Sequence, residues 1–287
     1  MPRVAITGLG AVSALGPDAP TLWSSVVDGK SGIAPIANIP AERLTVRIAA
    51  EVKGFDPAQH FEMRRLAMVD RASQFALVAA REALKDAGLS FKRKDAARAG
   101  AILGGTSGWV TVDECYDQFY GQQVNRLPPF TIPRIMANAP ASLITIEHGI
   151  RGPSFAVSSA CASANHAVGI AFQMIRSGSL DVAVTGGSDA SIVPGFLKGW
   201  DALRILSPDT CRPFSRNRSG LVIGEGAGVL VLEDLERASA RGAHIYGEII
   251  GFGMNADGRD LTAPDEASAA DAMTQALDDA GLAPDAV

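Results

Sequence analysis

The stretch Ser158-Ser159-Ala160-Cys161-Ala162-Ser163-Ala164-Asn165 sets a cysteine among small residues. It lies between a strand-like run over 154–158 and a run of helical period over 162–176. A thiol at such a junction meets the positive end of the helix dipole and unpaired N–H groups, which favour the nucleophilic thiolate. Small neighbours leave room for a substrate to approach, and the backbone N–H of Cys161 is a candidate donor to an oxyanion. The chemistry this suits is covalent catalysis by a thiol. The competing reading is a structural cysteine buried in the core.

The other cysteines offer less. Cys115 follows Asp113-Glu114, whose carboxylates disfavour a thiolate, and Cys211 sits in the turn Pro208-Asp209-Thr210-Cys211-Arg212-Pro213, where only Arg212 favours one. A thiolate nucleophile usually works with a histidine, and the chain has four: His60, His148, His166 and His244. His166 is five residues beyond Cys161, which turns a helix by about 140° and rises about 7.5 Å, so it points away from the thiol. His148 closes its helix, and His60 and His244 read as surface or boundary residues. None of the four can be placed beside Cys161. No Cys-x-x-Cys pair occurs, so structural zinc has no support and no metal or cofactor is expected.

The elements that must position Cys161 are those of a layered α/β fold. Short β-branched runs alternate with Ala-rich segments of helical period. Strands are expected over 3–7, 99–103, 154–158, 181–185, 227–232 and 246–254. Helices are expected over 21–28, 69–87, 138–148, 162–176, 233–241 and 267–280. In the helix over 69–87, Phe75, Leu77, Val78 and Leu84 line one side and Gly88 suits the position after its end. Strands without strict alternation imply a sheet covered on both faces. A strand closing on Gly-Gly occurs twice, at Gly104-Gly105 and Gly186-Gly187, which hints at internal duplication.

Composition limits the function classes. The 287 residues carry 26 Lys plus Arg against 31 Asp plus Glu, a net charge of −5, with 47% hydrophobic residues. That is a folded protein without the basic face that nucleic acid requires. No apolar run approaches the roughly 18 residues of a membrane span, and three scattered cysteines make no disulfide framework. A reducing cytoplasm is the expected compartment. Gly8-x-Gly10 after the first strand invites a nicotinamide-dependent oxidoreductase, but Ser13 stands where that fingerprint needs Gly or Ala, and the following acid is missing. Gly224-Glu225-Gly226-Ala227-Gly228 precedes a strand, which is backwards for phosphate binding and suits close backbone packing.

At these residues the chain resembles the β-ketoacyl-acyl carrier protein synthases, condensing enzymes of the thiolase fold. The resemblance rests on Val4-Ala5-Ile6-Thr7-Gly8-Leu9-Gly10, Gly149-Ile150-Arg151-Gly152-Pro153-Ser154, Ser159-Ala160-Cys161-Ala162-Ser163, Arg212-Pro213-Phe214 and Gly224-Glu225-Gly226-Ala227-Gly228, in order and covering essentially the whole chain. It is similar to the type II elongating synthases, and over 158–167 and 209–215 to the nodulation protein E branch. Ser219-Gly220-Leu221 replaces the family's Asp-Gly-Phe.

The resemblance implies an α-β-α-β-α layered fold, with residues 1–250 as its amino-terminal half and 251–287 as the start of the second. It implies that Cys161 is acylated from acyl carrier protein, and that a decarboxylative Claisen condensation with malonyl-carrier protein follows. The family's two histidines and their supporting lysine and glutamate have no counterpart here, so the chain reads as truncated and inactive in condensation alone, with exposed apolar surface beside its core. Thr106 and Leu221 are expected at the acyl pocket, and Arg64, Arg65 and Arg126 at the acidic carrier protein. A homodimer is implied as well. The alternative is a non-catalytic subunit that sets chain length, although such partners typically lack the cysteine.

Overall fold

The computed structural model describes residues 2–287. The first strand, β1 (Val4–Ser13), continues through Gly8 and Gly10, with one shift of pairing register between Ile6 and Gly8, so these glycines form no turn. They face α2 (Arg71–Asp86), which follows α1 (Ala19–Val27). A side chain on Gly8 would collide with the Ala83 carbonyl oxygen, and one on Gly10 with that of Ala79. The dinucleotide reading fails for this reason: the pair exists to let a strand and a helix touch backbone to backbone. The buried face of α2 repeats at helical spacing as Ala72, Phe75, Ala76, Ala79, Ala80 and Ala83, so the contact with β1 falls to alanines. The Asp70 carboxylate caps α2 through the Ala72 N–H, and it also accepts the Thr111 hydroxyl at 2.7 Å.

β2 (Ala99–Gly104) is wholly buried. After it come α3 (Trp109–Tyr116) and α4 (Ala139–His148), the latter ending at Gly149 with φ +71°. The central block is β3 (Ser154–Val157), α5 (Ser163–Arg176) and β4 (Val182–Asp189). The chain continues through α6 (Pro194–Leu203), β5 (Gly226–Asp234), α7 (Leu235–Ala240), β6 (Gly247–Ile249) and α8 (Glu266–Ala280).

These six strands form the main sheet, in the order β3-β2-β4-β5-β1-β6, and a separate two-stranded ribbon pairs Ala34–Pro35 with Ile48–Ala49. β2 runs parallel to both β3 and β4, and the remaining pairings are antiparallel. Alternate residues of β2 divide the core: Ala101 and Leu103 pack with Phe75 and Ile144 on the α2/α4 face, while Ile102 packs with Phe172 and Ile175 of α5 on the other. The layered α/β expectation holds, with a sheet covered on both faces.

Several boundaries differ from the sequence expectation. β4 continues through Gly186-Gly187 rather than ending there. β6 has three residues because the chain then leaves the sheet to lie against α8, where Gly251 approaches the Ala280 Cβ and Gly253 the Gln275 Cβ. Helices α3 and α6 were not foreseen. Among the described residues, no helix is long and apolar enough to cross a membrane.

Two buried carboxylates fasten the sheet to its flanks. Glu225, with 3% of its side chain exposed, pairs with Arg71 of α2 and accepts the Val52 N–H at 3.0 Å. Glu233 is fully buried, accepts the Thr7 hydroxyl at 2.6 Å and pairs with Arg241. Each removes a charge from water only because several donors meet it.

The β1–α2 contact is testable. Gly10→Ala is expected to cost about 1–3 kcal/mol by overpacking, whereas Gly247→Ala, with no atom within 4 Å of the added methyl, should stay within about 0.5 kcal/mol. Urea denaturation checks this, and equal midpoints for both variants would refute the tight packing.

Candidate active site

Between the end of β3 at Val157 and the start of α5 at Ser163 the chain makes the turn that carries Cys161. Ala160, directly before the cysteine, has φ +52°. That left-handed conformation is costly for a residue with a side chain and persists only where its surroundings over-determine it. Ser163 supplies much of that constraint. It is 3% exposed; its hydroxyl donates to the Ala160 carbonyl at 2.6 Å and accepts the Ser159 N–H at 2.8 Å. The Ser163 N–H also donates to the Ala160 carbonyl, at 3.0 Å. A second tether joins the Ser159 hydroxyl and His166 Nδ1, which share a hydrogen bond of 2.7 Å.

The sequence reading missed both partners. A serine at the first helical position was a usable signal, because short hydroxyl side chains there bond the turn that precedes them. His166 is not among the residues that line the Cys161 pocket, but it reaches back to the turn through Ser159.

The Cys161 thiol is exposed. It opens on a pocket of about 320 Å3 whose walls are Gly104-Gly105 at the end of β2, Gly187, Ser188 and Asp189 at the end of β4, and the start of β5. Every glycine-rich signal in the sequence apart from Gly8-x-Gly10 therefore meets around this thiol. The reason is proximity. A side chain on Gly104 would collide with the Ser163 carbonyl, and one on Gly187 would come within 2.8 Å of the Ala164 Cβ. Gly105, at φ +123°, holds a backbone conformation closed to other residues. No side chain caps α5, so its amino end directs backbone donors and the positive dipole end toward the turn. No histidine lines the pocket among the described residues.

Thr106 lies just behind the wall. Its hydroxyl donates to Asp189 Oδ2 and accepts the Trp109 indole N–H, both at 2.9 Å. The Trp109 ring meets that of Phe196 at 4.6 Å, tilted by 46°, and with Gly195, Gly199, Trp200 and Leu203 they line an open apolar recess of about 410 Å3. Leu221 is 46% exposed and pairs its backbone with Ile205, apart from the residues that line the cysteine pocket.

The three candidate docking arginines separate. Arg64 and Arg126 are exposed, while Arg65 shares Glu147 with Arg81. Burial opposes ionisation of Glu147, but Arg81 and Arg65 together hold its carboxyl below the usual range. Burial keeps the adjacent His148 below its ordinary value, against the opposing pull of the Glu147 charge. Cys115 is buried and Cys211 exposed. A second, apolar groove of about 620 Å3 shares Ala164, Gly187 and Gly228 with the Cys161 pocket and exposes Leu9, Trp23 and Val168. Apolar surface does lie open beside the core.

Comparison with known proteins places this arrangement. Residues 1–238 match the family described as "Beta-ketoacyl synthase, N-terminal domain", and residues 246–287 match "Beta-ketoacyl synthase, C-terminal domain". The chain is 45% identical to Nodulation protein E of Rhizobium sp. (strain N33) over 281 residues, covering 98% of this chain and 70% of that protein. It is 39% identical to 3-oxoacyl-[acyl-carrier-protein] synthase 2 of Staphylococcus aureus (strain COL) over 290 residues, with the same coverage of 98% and 70%. The structure of the ishigamide ketosynthase/chain length factor superposes with a TM-score of 0.90 at 34% identity, over 99% of this chain and 71% of that one. A type II polyketide ketosynthase solved in complex with its acyl-carrier protein superposes with a TM-score of 0.85 at 28% identity, over 100% and 72%. On its sequence, its strand order and the fold it shares with these ketosynthases, the chain belongs to the β-ketoacyl synthase family.

Proposed function

We propose that Cys161 is the nucleophile of a 3-oxoacyl-acyl carrier protein synthase. Its thiolate attacks the thioester carbonyl of an acyl-loaded carrier protein, the carrier thiol leaves as that bond breaks, and the acyl group remains on Cys161. The observation that carries this reading is the exposed thiol on the uncapped amino end of α5, inside a pocket walled by bare strand ends. A tetrahedral oxyanion there would be held by the backbone N–H of Cys161. The second half-reaction is the decarboxylative attack of malonyl-carrier protein. It needs groups to stabilise the developing charge, and the pocket's described residues include no histidine for that task.

The two halves can be tested separately. Incubation with an acyl-loaded carrier protein should add the acyl mass to Cys161, and cerulenin should block the same residue, both read by peptide mass spectrometry. Carbon–carbon bond formation is expected to be undetectable with the 287-residue chain alone. An acyl group found elsewhere, or a 3-oxoacyl product, would overturn the corresponding half.

We place Thr106 beside the acyl chain, because its partner Asp189 lines the Cys161 pocket. Thr106→Phe removes both hydrogen bonds and fills that side. It should shift loading of Cys161 toward hexanoyl over palmitoyl groups by about tenfold, roughly 1.4 kcal/mol. Unchanged competition between the two acyl donors would remove Thr106 from the pocket.

Arg64 and Arg126 are proposed to meet the acidic carrier protein, with Arg65 contributing less because Glu147 engages it. Leu221 is a weaker pocket candidate on its exposure. We place the activity in the cytoplasm, and the division between the two halves of the fold near residue 250, because β6 still pairs with β1. A homodimer is proposed through β3, an edge strand bonded on one side only. Sedimentation should give twice the chain mass, and Phe155→Pro should reduce it to one.

A further inference from the structure

The segment that follows β6 belongs to the second matched family domain, yet it lies along α5. Phe252 sets its ring against Gly169, where any side chain would collide with it, and meets the His166 ring edge-on at 6.3 Å. The Phe252 N–H donates to Asp279 Oδ2 at 2.9 Å, and Asp279 accepts Arg176 Nη1 at 2.8 Å at the far end of α5. The ring is thus pinned to the same helix whose amino end carries Cys161. His166 stands between Phe252 and Ser159, bonded to the serine and packed by the phenyl edge.

We propose that Ser159, His166 and Phe252 act as positioning residues for Cys161, coupling the second domain's leading segment to the direction of the thiol. The inference rests on Cys161 being the acylated nucleophile. Phe252 limits the swing of the imidazole, the imidazole fixes the Ser159 hydroxyl, and a fixed Ser159 keeps Ala160 in its left-handed conformation. Ser163 binds the turn to the first residue of α5, whereas His166 binds it to the next turn of the helix. Two anchors at different heights stop the turn from rotating about either one. His166 does not act here as a base: its Nδ1 is committed to Ser159, and the contact operates through geometry. A misdirected thiol loses the dipole and the backbone donors, so its reactivity falls by more than its exposure changes.

The test compares iodoacetamide alkylation at Cys161 and Cys211 within one molecule by site-resolved mass spectrometry. Cys211 is exposed and distant in sequence from the turn, and so reports general loosening. His166→Leu and Ser159→Ala are each expected to slow Cys161 about fivefold, with Cys211 unchanged. The double variant should be no slower than either single one, because both remove the same bond. His166→Asn, which keeps an acceptor or donor near Nδ1, should restore most of the rate, and Phe252→Ala should slow it in the same direction. Cys161 unaffected by both single variants, or Cys161 and Cys211 changing together, would overturn the proposal. A native chain that alkylates normally but takes no acyl group at Cys161 would instead overturn the synthase reading.

Discussion

The structure depends on one close approach, that of the amino end of α5 to the side-chain-free ends of β2 and β4. A helix normally stands off from a sheet because side chains of both fill the gap. Here Gly104 and Gly187 remove those side chains, and the Ser163 and Ala164 backbone comes down onto the strands. This places the positive end of the helix, its first N–H groups and the preceding thiol at the carboxyl ends of two parallel strands. Open α/β sheets bind ligands at that edge. The same contact forces the strained turn at Ala160, since the chain must rise from β3 and enter a helix seated unusually low.

The rest of the molecule holds that approach in place. Gly8 and Gly10 let α2 press equally close from the other face, so the sheet is clamped between two helices rather than pushed away by one. Glu225 and Glu233 fasten opposite ends of β5 to Arg71 and Arg241. Buried ion pairs of this kind contribute modestly to net stability, but removing one partner leaves an uncompensated charge. Their effect is to fix register: β5 supplies one wall of the cysteine pocket, and a slip of one residue would turn its side chains to the opposite face.

Much of this was legible in the sequence, and the failures share a cause. The alternation of strands and helices, the end of a helix before Gly88 and the placement of Cys161 between a strand and a helix follow from local rules. The glycines were visible but misread, because a Gly-x-Gly pair looks alike whether it makes a turn or admits a helix. Only the opposing alanines of α2, some seventy residues away, distinguish the two. The large apolar residues of that helix drew attention, while its small ones made the critical contact. α6 was overlooked although Phe196, Leu197, Trp200 and Leu203 recur at helical spacing, while Trp109 of α3 meets Phe196 across an open recess. The Ser163 tether was open to a local rule for a serine at the first helical position, whereas the His166 tether depends on the conformation of the turn between Ser159 and Ser163.

A site assembled this way has a particular economy. Capture of an acyl group asks for a directed thiolate and donors for one oxyanion, and a helix terminus can supply both from backbone alone. On the proposed reading, the residues around Cys161 are almost uniformly small because bulk would obstruct the approach of the acyl donor. Generating a carbanion from a malonyl group is a different electrostatic problem. It requires stabilising negative charge on a second substrate, displaced from the helix axis, where the dipole has fallen off within a turn. Backbone donors fixed on α5 cannot serve that position, so it must draw on side chains from elsewhere. On the proposed reading, the division between the two half-reactions follows from the reach of a helix terminus.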